Sequence, residues 1–393
     1  MGEPDVLVVG AGPAGAIAGL VLARAGVRVR LVDRAAFPRD KLCGDTINPG
    51  TLARLRALGV AAEIDARGLR VDGMVVTSAR AAIAGTYPHD LCGRAIVRRE
   101  LDAILLRHAI DAGCAFDPNV LVTGAVVDGD RVVGATIAGG RARRLLARVT
   151  IAADGRRSAL TWGLGVARHP VRPRRWAVGA YYEGVEPCGQ APPDRAAAFG
   201  EMHVRRHGYV GVAPVGPGLT NVCVVRPSAP GDAVMSDPVG LLDATLTSDA
   251  QLAPRFADAR RVTRPVVLGP LAVDVVPPAL EGLLLAGDAA GFIDPMTGDG
   301  LRFAVRGGEL AAMAVLDALA HGWRGVHARH AARRRAAFGA KHVFNRGLRR
   351  VVGTPALVDV AAFGARVAPG VLRRVIAHAG DCDVPGECQA SAR

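Results

Sequence analysis

Asp5-Val6-Leu7-Val8-Val9-Gly10-Ala11-Gly12-Pro13-Ala14-Gly15 decides the fold. The short β-branched run suits a buried parallel strand, and a glycine-rich turn follows at once. Residues 14–25 are rich in Ala, Leu and Val, and Gly26 is a natural stop, so a helix is expected there. Residues 27–32 read as the next strand and end at Asp33 and Arg34. Strand, turn, helix and strand make a βαβ unit. Gly10 permits the tight turn, Gly12 lets the backbone approach a pyrophosphate, and Gly15 lets helix and strand pack closely. Pro13 and Ala14 open the helix, whose free N–H groups and dipole favour phosphate. Asp33 stands where an acid holds ribose hydroxyls, which disfavours a 2′-phosphate and suits FAD or NAD better than NADP.

Two later stretches extend this site. Ala153-Asp154-Gly155-Arg156-Arg157-Ser158 follows the strand expected at 149–153. Gly287-Asp288-Ala289-Ala290-Gly291 follows the one expected at 283–286, with Pro295 and Thr297-Gly298-Asp299-Gly300 just beyond. In this order they read as a flavin site assembled from distant segments.

Composition narrows the class. A chain of 393 residues, half of them hydrophobic, buries a large core and is not disordered. The net charge of +13 comes from Arg scattered along the chain, and aromatics are only 4%, so nucleic acid is not an expected partner. An attraction of the basic surface to membranes is a weaker option, and peripheral membrane contact stays open. The seven cysteines show neither CxxC nor zinc spacing, which fits reduced thiols. The N-terminus does not read as a signal peptide and no apolar run spans a bilayer, so a cytoplasmic enzyme is expected.

Further along, residues 51–58 read as a short helix and 98–112 as an amphipathic one. Residues 121–127 and 131–137 form an expected hairpin around Asp128-Gly129-Asp130. Between about 166 and 270, Pro and Gly clusters separate short strands, including 176–182 and 219–225. A long helix is expected at 301–319, then helical, Arg-rich sequence. Arg329 and Arg333-Arg334-Arg335 read as the wet face of an amphipathic helix, and the end from about 380 as frayed. The expected fold is therefore α/β. A Rossmann-like FAD-binding domain of the glutathione-reductase type (1–75, 96–165 and 270–325) carries an inserted, mostly antiparallel β-sheet substrate domain (76–95 and 166–269). A helical C-terminal segment (326–393) follows.

With these motifs in hand, the chain resembles the FAD-dependent family of para-hydroxybenzoate hydroxylase-type monooxygenases, geranylgeranyl reductases and flavin halogenases. The stretches Phe37-Pro38-Arg39 to Cys43-Gly44-Asp45 and Gly287 to Ala312 are most similar to the geranylgeranyl reductase branch. The resemblance implies that Gly10, Gly12 and Gly15 line the pyrophosphate and Asp33 the adenosine ribose. It implies that Cys43 and Gly44 lie near the flavin. Arg98 would stand beside the phosphates and ribityl chain, and Asp154 and Gly155 near the pyrophosphate. Gly287 and Asp288 would meet the ribityl chain, and Pro295, Gly298, Asp299 and Gly300 the flavin ring. Backbone N–H groups at that last helix start would stabilise an anionic reduced flavin. NADH or NADPH would serve as a transient reductant without its own domain. In the substrate segment, Tyr209 and Pro214 match the prenyl reductases' Tyr-x-Trp-x-Phe-Pro, but Gly211 and Ala213 stand at the Trp and Phe positions. The halogenases' Trp-x-Trp-x-Ile-Pro is absent, and halogenation is not expected.

Among single residues, Cys43 is a candidate redox group whose neighbours Arg39 and Lys41 would lower its pKa, or else a small loop residue. Tyr209 is a candidate hydrogen-bond donor to a phenolic substrate, or else an ordinary sheet residue. Asp45 reads as closing an Asx-type turn ahead of contacting substrate. Asp299 reads as a helix cap ahead of a ligand contact, and His203 and His207 as surface residues. Three functions remain open. The first is a monooxygenase that inserts oxygen into an apolar, phenolic or polyketide-like small molecule in a water-poor pocket. The second is a reductase of C=C bonds in a prenyl or polyene lipid, with Leu348, Val351, Val352, Leu357 and Val360 shaping a lipid tunnel. The third is a non-catalytic flavin-binding protein.

Overall fold

A computed structural model of the chain describes residues 3–42, 44–139, 143–171, 174–189, 198–228, 231–232, 235–278, 280–293, 298–352, 354–367 and 369–382. The candidates Cys43 and Pro295 lie outside the described residues. The helices are α1 (Pro13–Arg24), α2 (Pro49–Ala57), α3 (Ala62–Arg67), α4 (Arg98–Asp111), α5 (Ala159–Gly163), α6 (Pro238–Ser248), α7 (Gly300–His321), α8 (Val326–Val352), α9 (Pro355–Val367) and α10 (Pro369–Ala379).

Val6–Val9 is the centre of a five-stranded sheet. Its strands stand in the order Leu283–Leu285, Val149–Ala152, Val6–Val9, Val29–Val32, Ala115–Asp117. Every pairing is parallel. Such strands are covered on both faces, and the side-chain alternation divides them cleanly. Val6 and Val8 join Leu31, Ile151 and Leu284 in the core beneath α1, α4 and α7. Leu7 and Val9 join Val32, Ala152, Leu283 and Leu285 beneath Val122, Val132 and Ala135. The latter belong to an antiparallel three-stranded sheet, Val122–Asp128, Arg131–Ile137 and Arg143–Leu146. The result is a three-layer unit whose central strand is almost fully buried. Each such apolar side chain contributes roughly 1.5–3 kcal/mol by its burial.

A second, ten-stranded sheet is antiparallel except where Ala198–Arg205 runs parallel to Leu69–Thr77. The expected boundary at residue 75 falls inside that second strand, and the sheet also takes in Thr46–Ile47. One face packs on α6 through Leu241, Leu242 and Leu246. The other face, with Met202, Val204, Tyr209 and Val225, meets Leu348 of α8 and Val358 of α9.

The C-terminal helices correct three expectations. Leu357 and Val360 face outward, 42% and 67% exposed, while Val358 points in, so the first two do not line a tunnel. The side chains of Val351 and Val352 lie outside the described set. Of the end expected to fray, Gly380 and Asp381 are tied down, because Gly380 O accepts from Gly50 N at 3.0 Å and Asp381 is buried, and residues 383–393 lie outside the described residues. Nor is Arg334 on a wet face, since its Nη1 is shielded from solvent. Among the described residues, no helix is long and apolar enough to cross a membrane.

Candidate functional site

The register of the parallel sheet brings the three motifs together. Gly10 follows the central strand, Asp154 ends the neighbour on one side, and Gly287 follows the strand beyond that. Asp33 ends the neighbour on the other side. All four stand at the carboxyl ends of adjacent parallel strands, where open α/β sheets bind ligands.

The turn itself is built for close approach. Gly10 has φ +99°, and a Cβ there would lie 2.5 Å from Ala153 O. A Cβ on Gly15 would lie 1.8 Å from Gly10 O, so only glycine fits. Gly12, the N-cap of α1, supplies no side-chain cap and leaves the helix N–H groups open. Asp33 already accepts from Ala11 N at 2.8 Å and Ala35 N at 2.9 Å. A carboxylate has acceptor capacity for ribose hydroxyls besides these two bonds. Arg34 is exposed beside it.

Charge lines the approach. Arg98 is buried and holds Asp102 in a two-pronged bond at 2.8 and 3.0 Å. Arg39 reaches the same carboxylate at 3.0 Å. Burial alone would raise the Asp102 pKa, but the Arg98 charge and hydrogen bonds bring it below the ordinary value. Arg39 Nη2 also lies 3.5 Å from where a Cβ on Gly12 would stand. It is therefore the basic residue nearest the open turn, and the site reading from sequence had passed over it. The quoted Phe37-Pro38-Arg39 loop was the signal available.

Asp154 accepts from Ala159 N at 2.8 Å through Oδ2, while its Oδ1 is shielded and without a hydrogen-bond partner. Burial pushes its pKa up to about 6, and Asp33 adds to the rise. Burial likewise raises Asp288, against the charges of Lys41, Arg98 and Arg156. Gly155 (φ +84°) is partly buried, Ala14 packs under Gly287, and Gly44 is exposed. Gly298 (φ +68°) and Gly300 flank Asp299 at the start of α7.

Three single-residue expectations change. Asp45 closes no local turn. It is buried and accepts from Arg98 N at 3.0 Å, Tyr181 Oη at 2.9 Å and Asn221 Nδ2 at 2.5 Å, joining the motif loop to two strands of the large sheet. Asp299 occupies the cap position without capping; its carboxylate turns to Asn345 Nδ2 at 2.9 Å and Lys341 Nζ at 3.2 Å. His203 is no surface residue but bridges Glu201 at 2.8 Å and Thr77 at 2.9 Å, and Arg255 clamps Glu201 at 2.6 and 2.8 Å. Tyr209 stands in the strand Gly208–Gly216, buried in the apolar cluster against the C-terminal helices, in keeping with the sheet-residue alternative. His207 is exposed, as expected.

Asp45 carries a pH prediction. Burial raises its pKa from 3.8 to about 6, offset in part by Asn221, Tyr181 and Arg98. The folded chain thus holds this proton more tightly than the unfolded one. That contribution is complete below pH 3.8 and is lost as pH rises through about 6. The difference corresponds to roughly 3 kcal/mol. Asp45→Asn does not ionise, so its stability relative to wild type should climb across this window. Unfolding midpoints of both proteins on a pH series check it; a constant difference would contradict the assigned shift.

A parallel sheet with a glycine turn, an acid at the next strand end and two further loops at the same edge defines a dinucleotide-binding flavoprotein. The FAD binding domain family is matched over residues 3–343, and the chain belongs to it. The menaquinone reductase of Mycobacterium tuberculosis is 33% identical over 325 residues, 78% of this chain and 75% of that one. The digeranylgeranylglycerophospholipid reductase of Methanosarcina mazei is 30% identical over 336 residues, 81% of this chain and 76% of that one. The structure of a flavin-dependent brominase superposes with a TM-score of 0.85 at 22% identity, covering 97% of this chain and 94% of that one, which is a likeness of fold. The chain is an FAD-dependent oxidoreductase.

Proposed function

We propose that the enzyme reduces a C=C bond in an isoprenoid or polyene lipid. The observation that carries this is identity of 30–33%, over about four fifths of the chain, to two proteins named as reductases of lipids. It displaces oxygen insertion, which the motifs alone had put first. Bound and reduced by NAD(P)H, the flavin would supply the hydride equivalent that C=C reduction needs, with a proton from solvent completing the addition.

The residues present fit FAD. Gly12 has room for a closely approaching group, the start of α1 offers free N–H donors, and Asp154 Oδ1 is a buried acceptor awaiting a partner. In this reading Gly10, Gly12, Gly15 and Arg39 hold the pyrophosphate, and Asp33 the adenosine ribose. Asp288 takes a ribityl hydroxyl, and Gly298 and Gly300 meet the flavin ring. Asp288→Ala should then weaken FAD binding about tenfold to a hundredfold, the worth of a hydrogen bond to a charged group. Titration of apoprotein with FAD measures it; an unchanged Kd would remove Asp288 from the site.

Peripheral membrane contact is part of the reading. Leu357, Val360 and Phe363 on α9 and Val371 on α10 are exposed, with Arg373 and Arg374 beside them. Apolar side chains flanked by Arg suit an anionic bilayer surface. The protein should sediment with anionic vesicles, and Phe363→Glu should reduce this severalfold; equal sedimentation of both would count against the contact.

The function is tested by reducing the enzyme anaerobically and adding menaquinone or geranylgeraniol in detergent. Reoxidation of the flavin with a product that stays heavier by one pair of hydrogens after the quinone ring is reoxidised in air supports C=C reduction of the lipid. Reoxidation only on admitting oxygen, with a phenol gaining an oxygen atom, would establish the monooxygenase instead.

A further inference from the structure

A cavity of about 290 Å³ lies between α8 and the turn Gly287–Ala290. Gly287 and Ala290, one 3₁₀ turn apart, share the face that lines it. Asp288 is not in the lining and responds instead to Lys41, Arg98 and Arg156. The cavity thus borders the proposed flavin site through Gly287 and Gly300, while Asp288, the residue assigned to the ribityl hydroxyl, is not part of its wall. Val273, Phe292 and Phe303 give it apolar walls.

Its polar lining is unsatisfied. Arg334 Nη1, His342 Nδ1 and Asn345 Oδ1 all belong to lining residues. Each is shielded from solvent and has no hydrogen-bond partner among the described residues. Buried polar groups are almost always paired, so three open ones around a single cavity call for a reason. The Asn345 amide nitrogen is already committed to Asp299 at 2.9 Å, which orients Oδ1 as an acceptor.

The electrostatics are one-sided. Burial lowers the Arg334 pKa, and no neighbouring acid counters it. A guanidinium nevertheless keeps its charge in proteins. Burial lowers His342, with Arg346 and Arg334 adding to the fall. Burial also lowers His330 to about 4, again with Arg334 contributing. Burial first, and the nearby Arg charges second, thus favour the neutral form of both imidazoles. Arg346 and Arg349 add to the lining against one acid, the exposed Asp274. The guanidinium lies 5.4 Å from the Phe338 ring centre, but among the described residues no acid counters it and Nη1 has no hydrogen bond, an arrangement that rigidity alone does not call for.

We propose that this cavity binds the anionic end of an apolar ligand, with a carboxylate or phosphate on Arg334 and an adjacent hydroxyl or amide N–H on Asn345 Oδ1. The anion belongs either to the substrate or to the phosphates of the nicotinamide cofactor. The site stands whichever bond the flavin reduces.

The test uses the FAD-loaded enzyme and calorimetric titration with decanoate, decyl phosphate and decanol. Wild type should bind both anions about tenfold or more tighter than the alcohol, the worth of a charge-assisted hydrogen bond. Arg334→Met should bind all three alike, with an unfolding midpoint equal to wild type or higher, because no ion pair is lost. Arg334→Gln should lose the preference in the same way and serves if the Met variant does not fold. FAD content measured on each variant separates loss of this site from loss of the flavin site. Displacement of decyl phosphate by NADPH would assign the anion to the cofactor, and absence of displacement to the substrate. Equal binding of anion and alcohol by wild type, or an anion preference that survives in Arg334→Gln, would overturn the proposal.

Discussion

Gly12→Val should fold normally and purify colourless. Gly12 has φ −69° and ψ −176°, extended backbone that any residue adopts. The nearest atom to an added Cβ is Arg39 Nη2 at 3.5 Å, an ordinary contact with the end of a flexible side chain. The protein alone therefore gives this position no reason to be glycine. The proposed pyrophosphate does, because the valine methyls would occupy its approach and block the N–H groups of α1. Loss of that fit is worth roughly 3 kcal/mol or more, at least about a hundredfold in FAD affinity. Gly15→Ala is the contrasting control. Its Cβ would collide with the Gly10 carbonyl at 1.8 Å, and backbone on both sides must move. Overpacking of this kind costs about 1–3 kcal/mol or more, so that variant should lose stability as well as flavin. Unfolding midpoints of the apoproteins and FAD titrations separate the two. A Gly12→Val protein as yellow as wild type would remove the pyrophosphate from this turn.

Lys341→Met should cost about 3–5 kcal/mol, the usual penalty for removing one partner of a buried ion pair. Lys341 is one of only two lysines in the chain and is 2% exposed. Its ammonium lies 3.2 Å from both Asp299 and Asp381. It also donates to His378 O at 2.7 Å and Ala379 O at 2.9 Å, carbonyls at the end of α10. Without it two buried carboxylates lose their shared cation, while Asp381 keeps Arg302. Asp381 also accepts from Asn48 at 2.8 Å, ahead of α2. The network thus ties the start of α7 to α8, the end of α10 and the start of α2. Lys341→Met combined with Asp299→Asn should recover part of the loss, because one of the two buried carboxylates that faced the ammonium no longer ionises. Denaturant unfolding of both proteins checks this; a loss below about 1 kcal/mol would show that the pairs are not needed for stability.

What could be read without coordinates was local. The βαβ unit announces itself because an apolar run, a glycine turn and an alanine-rich helix follow one another within a few residues. The helices α4 and α7 were legible from their apolar spacing and their stops. Pairings between distant segments were not. Nothing near Ala198–Arg205 signals that it runs parallel to Leu69–Thr77, so an otherwise antiparallel sheet hides one parallel pair. The same cause explains the residues misread. Asp45 looked like a turn closer because its partners Tyr181 and Asn221 lie 136 and 176 residues away. Asp299 has the position of a cap, but Lys341 and Asn345 compete for its carboxylate from another helix. His203 appeared to start a surface strand until Thr77 and Glu201 closed around it. The cofactor was legible because phosphate binding uses contiguous backbone. The reaction was not, because Gly211 and Ala213 stand where the prenyl reductases carry Trp and Phe.

The most direct test is the flavin content of the purified protein. It should be denatured, its released cofactor quantified against chain concentration, and any apoprotein titrated with FAD. FAD is expected in a ratio approaching one per chain, as isolated or after addition. A protein that binds no flavin even with FAD in excess would contradict the assignment from which every functional statement here follows.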